Sequence, residues 1–497
     1  MSIFARTVVR LLTISAFAGT CVAQSASTLP KDPSQVFRTI VSHRNALPAA
    51  RPEVRVPEMQ VLAPPFSGSP YTVGATITPT STIPEAEEHI AVDPNNFNNL
   101  ISMISDFSQN GGFNLSKFAF SSNNGASWTE SFVPTSGGEP VTADGHIWQA
   151  NSDPVVAIDK LGNAYLANLY LQVDSLGNVT NDGYYVCSAK LTSGPKFTKA
   201  GCHAVKTTLT SSTNLEDKEW LTVDNGTSSH SGNVYACWTH FTATSSMIEF
   251  SRSTNHGVTW SKAIQISSAS QNGAVQGSQC AVAPDGTVYV AYEVFLAGTS
   301  GQQFIAKSTN GGTSFSRPVA ASPTFTNLTF SANYRDNSFP AMAVGSGGTG
   351  TGFVYIAYAA MNGSNSSTEF IKSKTAGGTT FTTPVAVNDK TAGQRLMPAV
   401  AADTNGDIHL SWFDSRNSSN ANTLDIYATY SKDNGSTFAT NARVTSKQIT
   451  TSAGDFIGDY SGIAAGPNGS TSMAHPAWTS AGLNEVSNLQ TATLTVP

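Results

Sequence analysis

From residue 85 onward, short apolar runs alternate with turn-forming residues, and the whole pattern recurs. Each unit holds an apolar run, a tight Gly, Asn or Asp turn, and a second run rich in aromatics. The copies occupy 90–106, 154–169, 220–240, 280–293, 340–359, 398–414 and 460–478. Turns such as Asp285-Gly286, Asn405-Gly406 and Asn468-Gly469 supply residues that tolerate the positive φ of a hairpin. The first run is apolar at successive positions rather than at every second one, which predicts a strand buried on both faces. Seven units across residues 85–497 average about 59 residues each, enough for four strands apiece.

A second repeat follows these hairpins. Ser121, Asn123, Gly125, Ser127 and Trp128 recur as Ser253, Asn255, Gly257, Thr259 and Trp260. They return as Ser308, Asn310, Gly312, Ser314 and Phe315, then as Ser431, Asp433, Gly435, Thr437 and Phe438. A copy with one extra residue spans 373–381, and a degenerate one spans 190–197. The Asn or Asp suits a turn whose free N–H groups need an acceptor, and glycine suits its left-handed position. This repeat resembles the Asp-box, the S-x-D-x-G-x-T-W signature of sialidases and other bacterial-neuraminidase-repeat proteins. Two repeats in register predict an all-β fold, a β-propeller of four-stranded antiparallel blades. Seven hairpins predict seven blades, with the six of enzymatic sialidases as the alternative. The chain ends near the place of a seventh box, so an N-terminal strand, with 54–62 as the candidate, is expected to complete the last blade. Such closure hides sheet edges.

The N-terminus reads differently. Arg6 and Arg10 precede an apolar run from Leu11 to Ala18 and small residues ending at Ala23, the pattern of a signal peptide over residues 1–23. Residues 24–84 hold ten of the 24 prolines and form a proline-rich segment before the propeller of 85–497. A secreted or periplasmic protein is expected, with no membrane span elsewhere. Four cysteines remain, Cys187, Cys202, Cys237 and Cys280, and an even number in an exported chain reads as two disulfides. We expect Cys187 with Cys202, bracing the degenerate box, and Cys237 with Cys280, joining adjacent blades.

Charged residues make up only 12% of the chain, and loss of the leader leaves a balance of −8, no footprint for nucleic acid. No phosphate loop, His-Glu-x-x-His, Cys-x-x-Cys or Gly-x-Ser-x-Gly motif occurs. Asp403 to Asp407 fits a hairpin turn better than a calcium loop, and no two histidines stand at ligand spacing. No cofactor and no metal site is expected, and a closed ring is expected to act as a monomer.

The scarce charges cluster at one level of the repeat, where the chain enters the first strand or leaves the second. Asp153, Asp217, Glu219, Arg335, Arg395, Asp414, Arg416, Asp459 and Tyr460 all lie there. Three arginines, Arg335, Arg395 and Arg416, come from neighbouring blades and suit a carboxylate bound by paired hydrogen bonds; Asp153 and Asp414 would join them in binding substrate. The sialidase resemblance implies a similar arginine set, an aspartic acid donor and a tyrosine nucleophile activated by a glutamate. Asp217 or Asp459 would be the acid, Tyr460 the nucleophile and Glu219 its activator. The family's Phe/Tyr-Arg-Ile-Pro segment is absent, with Arg395-Leu-Met-Pro398 its nearest echo. The expected activity is therefore glycan hydrolysis of sialidase type, with a non-catalytic glycan- or protein-binding propeller or a polysaccharide lyase as alternatives.

Overall fold

Each hairpin acquires two outer strands and becomes a four-stranded antiparallel blade, and there are seven of them. The computed structural model describes residues 68–79, 85–106, 115–173, 179–192, 194–209, 214–329, 334–451, 457–482 and 485–497. The expected leader, 1–23, and the 54–62 segment lie outside these residues. Inner strands run through Glu85–Asp93, Ala150–Ile158, Leu215–Val223, Val275–Val282, Ala341–Val344, Arg395–Ala402 and Gly462–Asn468. No described helix is long and apolar enough to cross a membrane.

The two-sided burial of the inner hairpins follows from stacking blade on blade. Every junction carries its own apolar cluster. Met103, Val156 and Leu166 join blades 1 and 2; Tyr235, Phe250 and Val290 join blades 3 and 4. Ile90, Ala464 and Leu489 join blade 7 back to blade 1 and close the ring.

Closure uses the N-terminal segment. Thr72–Val73 pairs with Leu494–Thr495 as the outer strand of blade 7. Gly74 and Ile77 donate backbone N–H groups to Thr493 and Thr491. Tyr71 packs on Tyr430 and donates its hydroxyl to His409 Nδ1 at 2.6 Å, where Asp403 and Ser472 complete a buried polar knot. Asp403 also accepts the backbone N–H groups of Asn405 and Asp407, so this aspartate holds a hairpin turn.

Between strands three and four, the second repeat makes one hydrogen-bond pattern in four blades: Asn123 Oδ1 accepts the Ser127 N–H and Ser121 Oγ accepts the Gly125 N–H, as their counterparts do in the other three. In the two copies that end in tryptophan, Trp128 and Trp260 Nε1 also donate to the Gly125 and Gly257 carbonyls. Gly125, Gly257, Gly312 and Gly435 all have φ between 70° and 82°. Terminal aromatics reach back to the preceding blade: Phe197 to Phe118, Phe315 to Phe250 and Phe438 to Phe370, with centroids 4.7–5.1 Å apart.

The cysteines divide. Cys187 and Cys202 face each other across strands three and four of blade 2 and are bonded. Cys237 and Cys280 are free, correcting the expected second disulfide. Both thiols fill apolar space between blades 3 and 4, and Cys280 Sγ lies 3.6 and 3.8 Å from the Trp220 and Tyr235 carbonyls, to which it donates.

Candidate functional site

Inner strands enter the central channel through a repeated slip of register. Slips separate Ala86 from His89, Ser152 from Val155, Asp217 from Trp220, Gln276 from Gln279 and Leu396 from Ala399. The first residue inside each slip has positive φ: Glu87 67°, Asp153 50°, Lys218 51°, Gly277 71° and Met397 48°. Bulges of this kind bend a strand and re-aim its side chains, and left-handed non-glycine residues gather where a fold positions function. Matching the hairpins puts Phe339 and Tyr460 at the same position in blades 5 and 7. The resulting ring is charged across blades 1–3 and neutral across blades 4–7. Blade 4 uses glycine because a Cβ on Gly277 would lie 2.2 Å from the Phe339 ring.

The charged arc is a crowd of carboxyls. Glu87, Glu88, Asp153, Asp217, Glu219 and Asp459 are all at most 4% exposed. Asp153 stands beside both Glu87 and Asp217, so like charges crowd one another here. Glu87 is pushed well above the usual carboxyl range by burial and then by Asp153 and Asp459. Asp217 and Glu219 are raised by burial and by Asp153. Gln276 Nε2 donates to Asp217 at 2.9 Å. Burial lifts Asp459 to about 6, against the opposing pull of Arg335 and Lys218.

Two cations answer these acids. Arg335 Nη1 donates to Asp459 Oδ2 at 2.7 Å. The Lys218 ammonium sits 3.7 Å from the Tyr460 ring centroid and 5.8 Å from that of Phe339, a cation held by aromatic faces. Asn337 Nδ2 donates to the Asp459 carbonyl. Lys218, Asn337, Phe339, Asp459 and Tyr460, together with Trp220, line a cavity of about 20 Å³, room for one water.

Tyr460 is in the predicted place, but its hydroxyl donates to the Pro154 carbonyl at 3.1 Å. Burial and then Glu87, Asp153 and Glu219 push the phenol well above its ordinary value, so neutral phenol is the favoured form. The structure thus brings together Asp153, Asp217, Glu219, Asp459, Tyr460 and Arg335. It does not bring the three arginines together. Arg395 is fully buried and donates to Asp414 and to the carbonyls of Ser366, Thr391, Ala392 and Gly393. Arg416 lies over Tyr427 and pairs with Asp414 and Asp389. Asp414 therefore tethers blade 6, and the expected carboxylate clamp of Arg395 and Arg416 is corrected to a loop scaffold. A fully buried guanidinium whose three nitrogens already donate within blade 6 is not presented to a ligand in the channel.

Lys218, Trp220, Phe339 and Asn337 are site residues that motif reasoning left unassigned. Their signal was positional, since Lys218 and Phe339 share with Tyr460 one offset in the repeat.

No protein-family profile matches the chain, and no curated protein matches it in sequence. Among solved structures, a protein of unknown function from Dyadobacter fermentans is similar at TM-score 0.44 and 11% identity, covering 86% of this chain and 99% of that one. A Hadza microbial sialidase is similar at TM-score 0.42 and 12% identity, covering 88% and 98%. A polysaccharide lyase, an ulvan lyase bound to -[GlcA(1-4)Rha3S]-, is similar at TM-score 0.44 and 10% identity, covering 84% and 95%.

Proposed function

We propose that the protein is a glycan-acting hydrolase whose chemistry centres on Asp459 at the mouth of the central channel. The observation that carries this reading is a buried carboxyl lifted to about 6 and paired with Arg335 beside Tyr460 and Lys218. A proton donor works best when its pKa lies near the working pH, and a glycosidic oxygen needs such a donor. Asp217 and Glu219 offer the second carboxyl that most glycosidases require. Tyr460 serves as a wall of the site; a nucleophilic role requires its bond to Pro154 to open. The sialidase resemblance makes a glycan the substrate class to test, although the turn repeat itself is structural.

A second reading, glycan binding without turnover, is favoured by the Tyr460 hydroxyl being tied to the Pro154 carbonyl rather than presented as a nucleophile. Purified protein assayed on sialosides and uronic-acid polysaccharides separates the two. Reducing-end release that drops by at least about a hundredfold in Asp459→Asn, with glycan binding retained, supports hydrolysis. Array binding with no product selects the second reading, and an unsaturated product absorbing in the ultraviolet selects a lyase. Neither binding nor product on any of these substrates rejects a glycan site.

A further inference from the structure

Away from the channel, the junction of blades 2 and 3 holds a separate set of ligand-type side chains. Strand register assembles it. Glu216 on the inner strand of blade 3 faces His240 directly, and His240 faces Met247 on the next strand. Cross-strand partners share a face, and so does the residue two further along, which is Glu249. The ligand atoms of Glu216, His240 and Glu249 all lie within 4.8 Å of one another. His240 Nδ1 is 2.9 and 3.0 Å from the two oxygens of Glu216.

A fourth carboxyl enters from blade 2. Asp182 is fully buried; its Oδ2 accepts the Glu216 N–H at 2.6 Å, while Oδ1 has no hydrogen-bond partner. Lys206 supplies a cation beside this set, bonded to Glu249 Oε2 at 3.2 Å and drawing down Asp182 as well. The surroundings resemble the outer support of a metal ligand. Trp238 Nε1 donates to Glu216 Oε2 at 2.6 Å and Thr208 donates to Oε1 at 2.9 Å; such bonds orient a ligating carboxylate.

We propose that Glu216, His240 and Glu249, with Asp182 of blade 2 behind them, form a binding site for a zinc-type dication that ties together the first three strands of blade 3. An imidazole among carboxylates favours zinc over calcium, which takes oxygen ligands. The site is structural, not catalytic, and one link ties it to the channel. Glu216 immediately precedes Asp217 and Lys218, so a bound ion would hold the start of that inner strand.

The test uses the full-length protein, dialysed free of metal and then titrated with zinc chloride or calcium chloride alone. We expect one tightly bound zinc per chain by elemental analysis. Zinc at a hundredfold excess over its Kd should raise the melting temperature by about 3 °C or more, with calcium without effect. Zinc should also abolish the NMR titration of His240. His240→Ala and Glu249→Gln should weaken zinc binding by at least about tenfold; Glu249 is only half-buried, so its variant is the one to rely on if His240→Ala does not fold. No tight zinc, equal zinc binding by Glu249→Gln, or equal stabilisation by calcium would each overturn the proposal and leave an ordinary ion pair.

Discussion

Lys218 is the residue on which the electrostatics of the channel turn. Its charge opposes burial at Glu87, Asp217, Glu219 and Asp459 alike. Replacement by methionine keeps the aromatic contacts but removes the charge, which leaves buried carboxylates uncompensated. The sign with pH follows from Asp459, whose folded value of about 6 lies above the ordinary carboxyl value of 3.8. A carboxyl raised on folding contributes fully below its unfolded value, and that contribution is lost as pH rises through the folded one. Lys218→Met should therefore cost on the order of 3 kcal/mol at pH 8 and markedly less at pH 5, where protons replace the ammonium. Urea melts at the two pH values check this; an equal loss at both would remove the electrostatic account. Arg335→Ala should push Asp459 higher still and move the falling limb of the pH–activity profile upward from about 6. The sequence placed Asp217, Glu219, Asp459 and Tyr460 at one level because the hairpin repeat carries that information. It did not reveal that Arg395 is surrounded by its own loop carbonyls, since loop geometry leaves no periodic trace.

One turn, repeated, does most of the local work, and its copies differ in an instructive atom. In three blades an asparagine amide donates to a hydroxyl: Asn123 Nδ2 to Ser127, Asn255 Nδ2 to Thr259 and Asn310 Nδ2 to Ser314. In blade 6 the direction reverses, and Thr437 donates to the Asp433 carboxylate at 2.6 Å. Asp433→Asn should therefore be tolerated within about 0.5 kcal/mol at neutral pH, whereas Asp433→Ala should cost about 1–2 kcal/mol. Only the aspartate copy titrates. Burial, the largest single influence, raises Asp433, but the hydrogen bonds from Thr437, Ser431 and Ser436 together outweigh it and hold the carboxyl below its ordinary value. Its contribution is present above the usual carboxylate range and lost on acidification, so Asp433→Asn should flatten the acid limb of the melting profile. A steeper limb in the variant would contradict this. Blade 2 lacks an intact copy yet keeps Phe197 on Phe118, and the Cys187–Cys202 bond spans the gap. Closing a loop with a sequence separation of 15 is worth about 3 kcal/mol, so Cys187→Ser with Cys202→Ser should lose roughly that in a denaturant melt. That disulfide was legible because the degenerate copy lies between its cysteines. The free pair was not, because an even cysteine count says nothing about how two thiols pack between sheets.

At the scale of the whole ring, stability depends on a strand the hairpin repeat does not contain. Seven junctions each bury an apolar cluster, but blade 7 owns no outer strand of its own until Thr72–Val73 arrives. The seven-blade count was readable from the hairpins. The closing strand was expected from the N-terminal segment, but two residues flanked by turn and coil lie below the length at which alternation can be seen. What singles them out is Tyr71, whose ring packs on Tyr430 and whose hydroxyl meets a fully buried His409. Removing residues 1–79 would strip the edge of Leu494–Thr495 and leave the knot of His409, Asp403 and Ser472 without its cover. An unpaired edge is a template for pairing with another chain. The truncated protein should therefore associate or aggregate in sedimentation experiments, while a chain beginning at residue 67 should stay monodisperse with an unchanged melting temperature. Tyr71→Phe keeps the packing and loses one buried hydrogen bond to a histidine, at a cost of about 1–3 kcal/mol. If the 1–79 deletion remained monodisperse and equally stable, ring closure would have to reside in the contacts between blades 7 and 1 alone, through Ile90, Ala464 and Leu489.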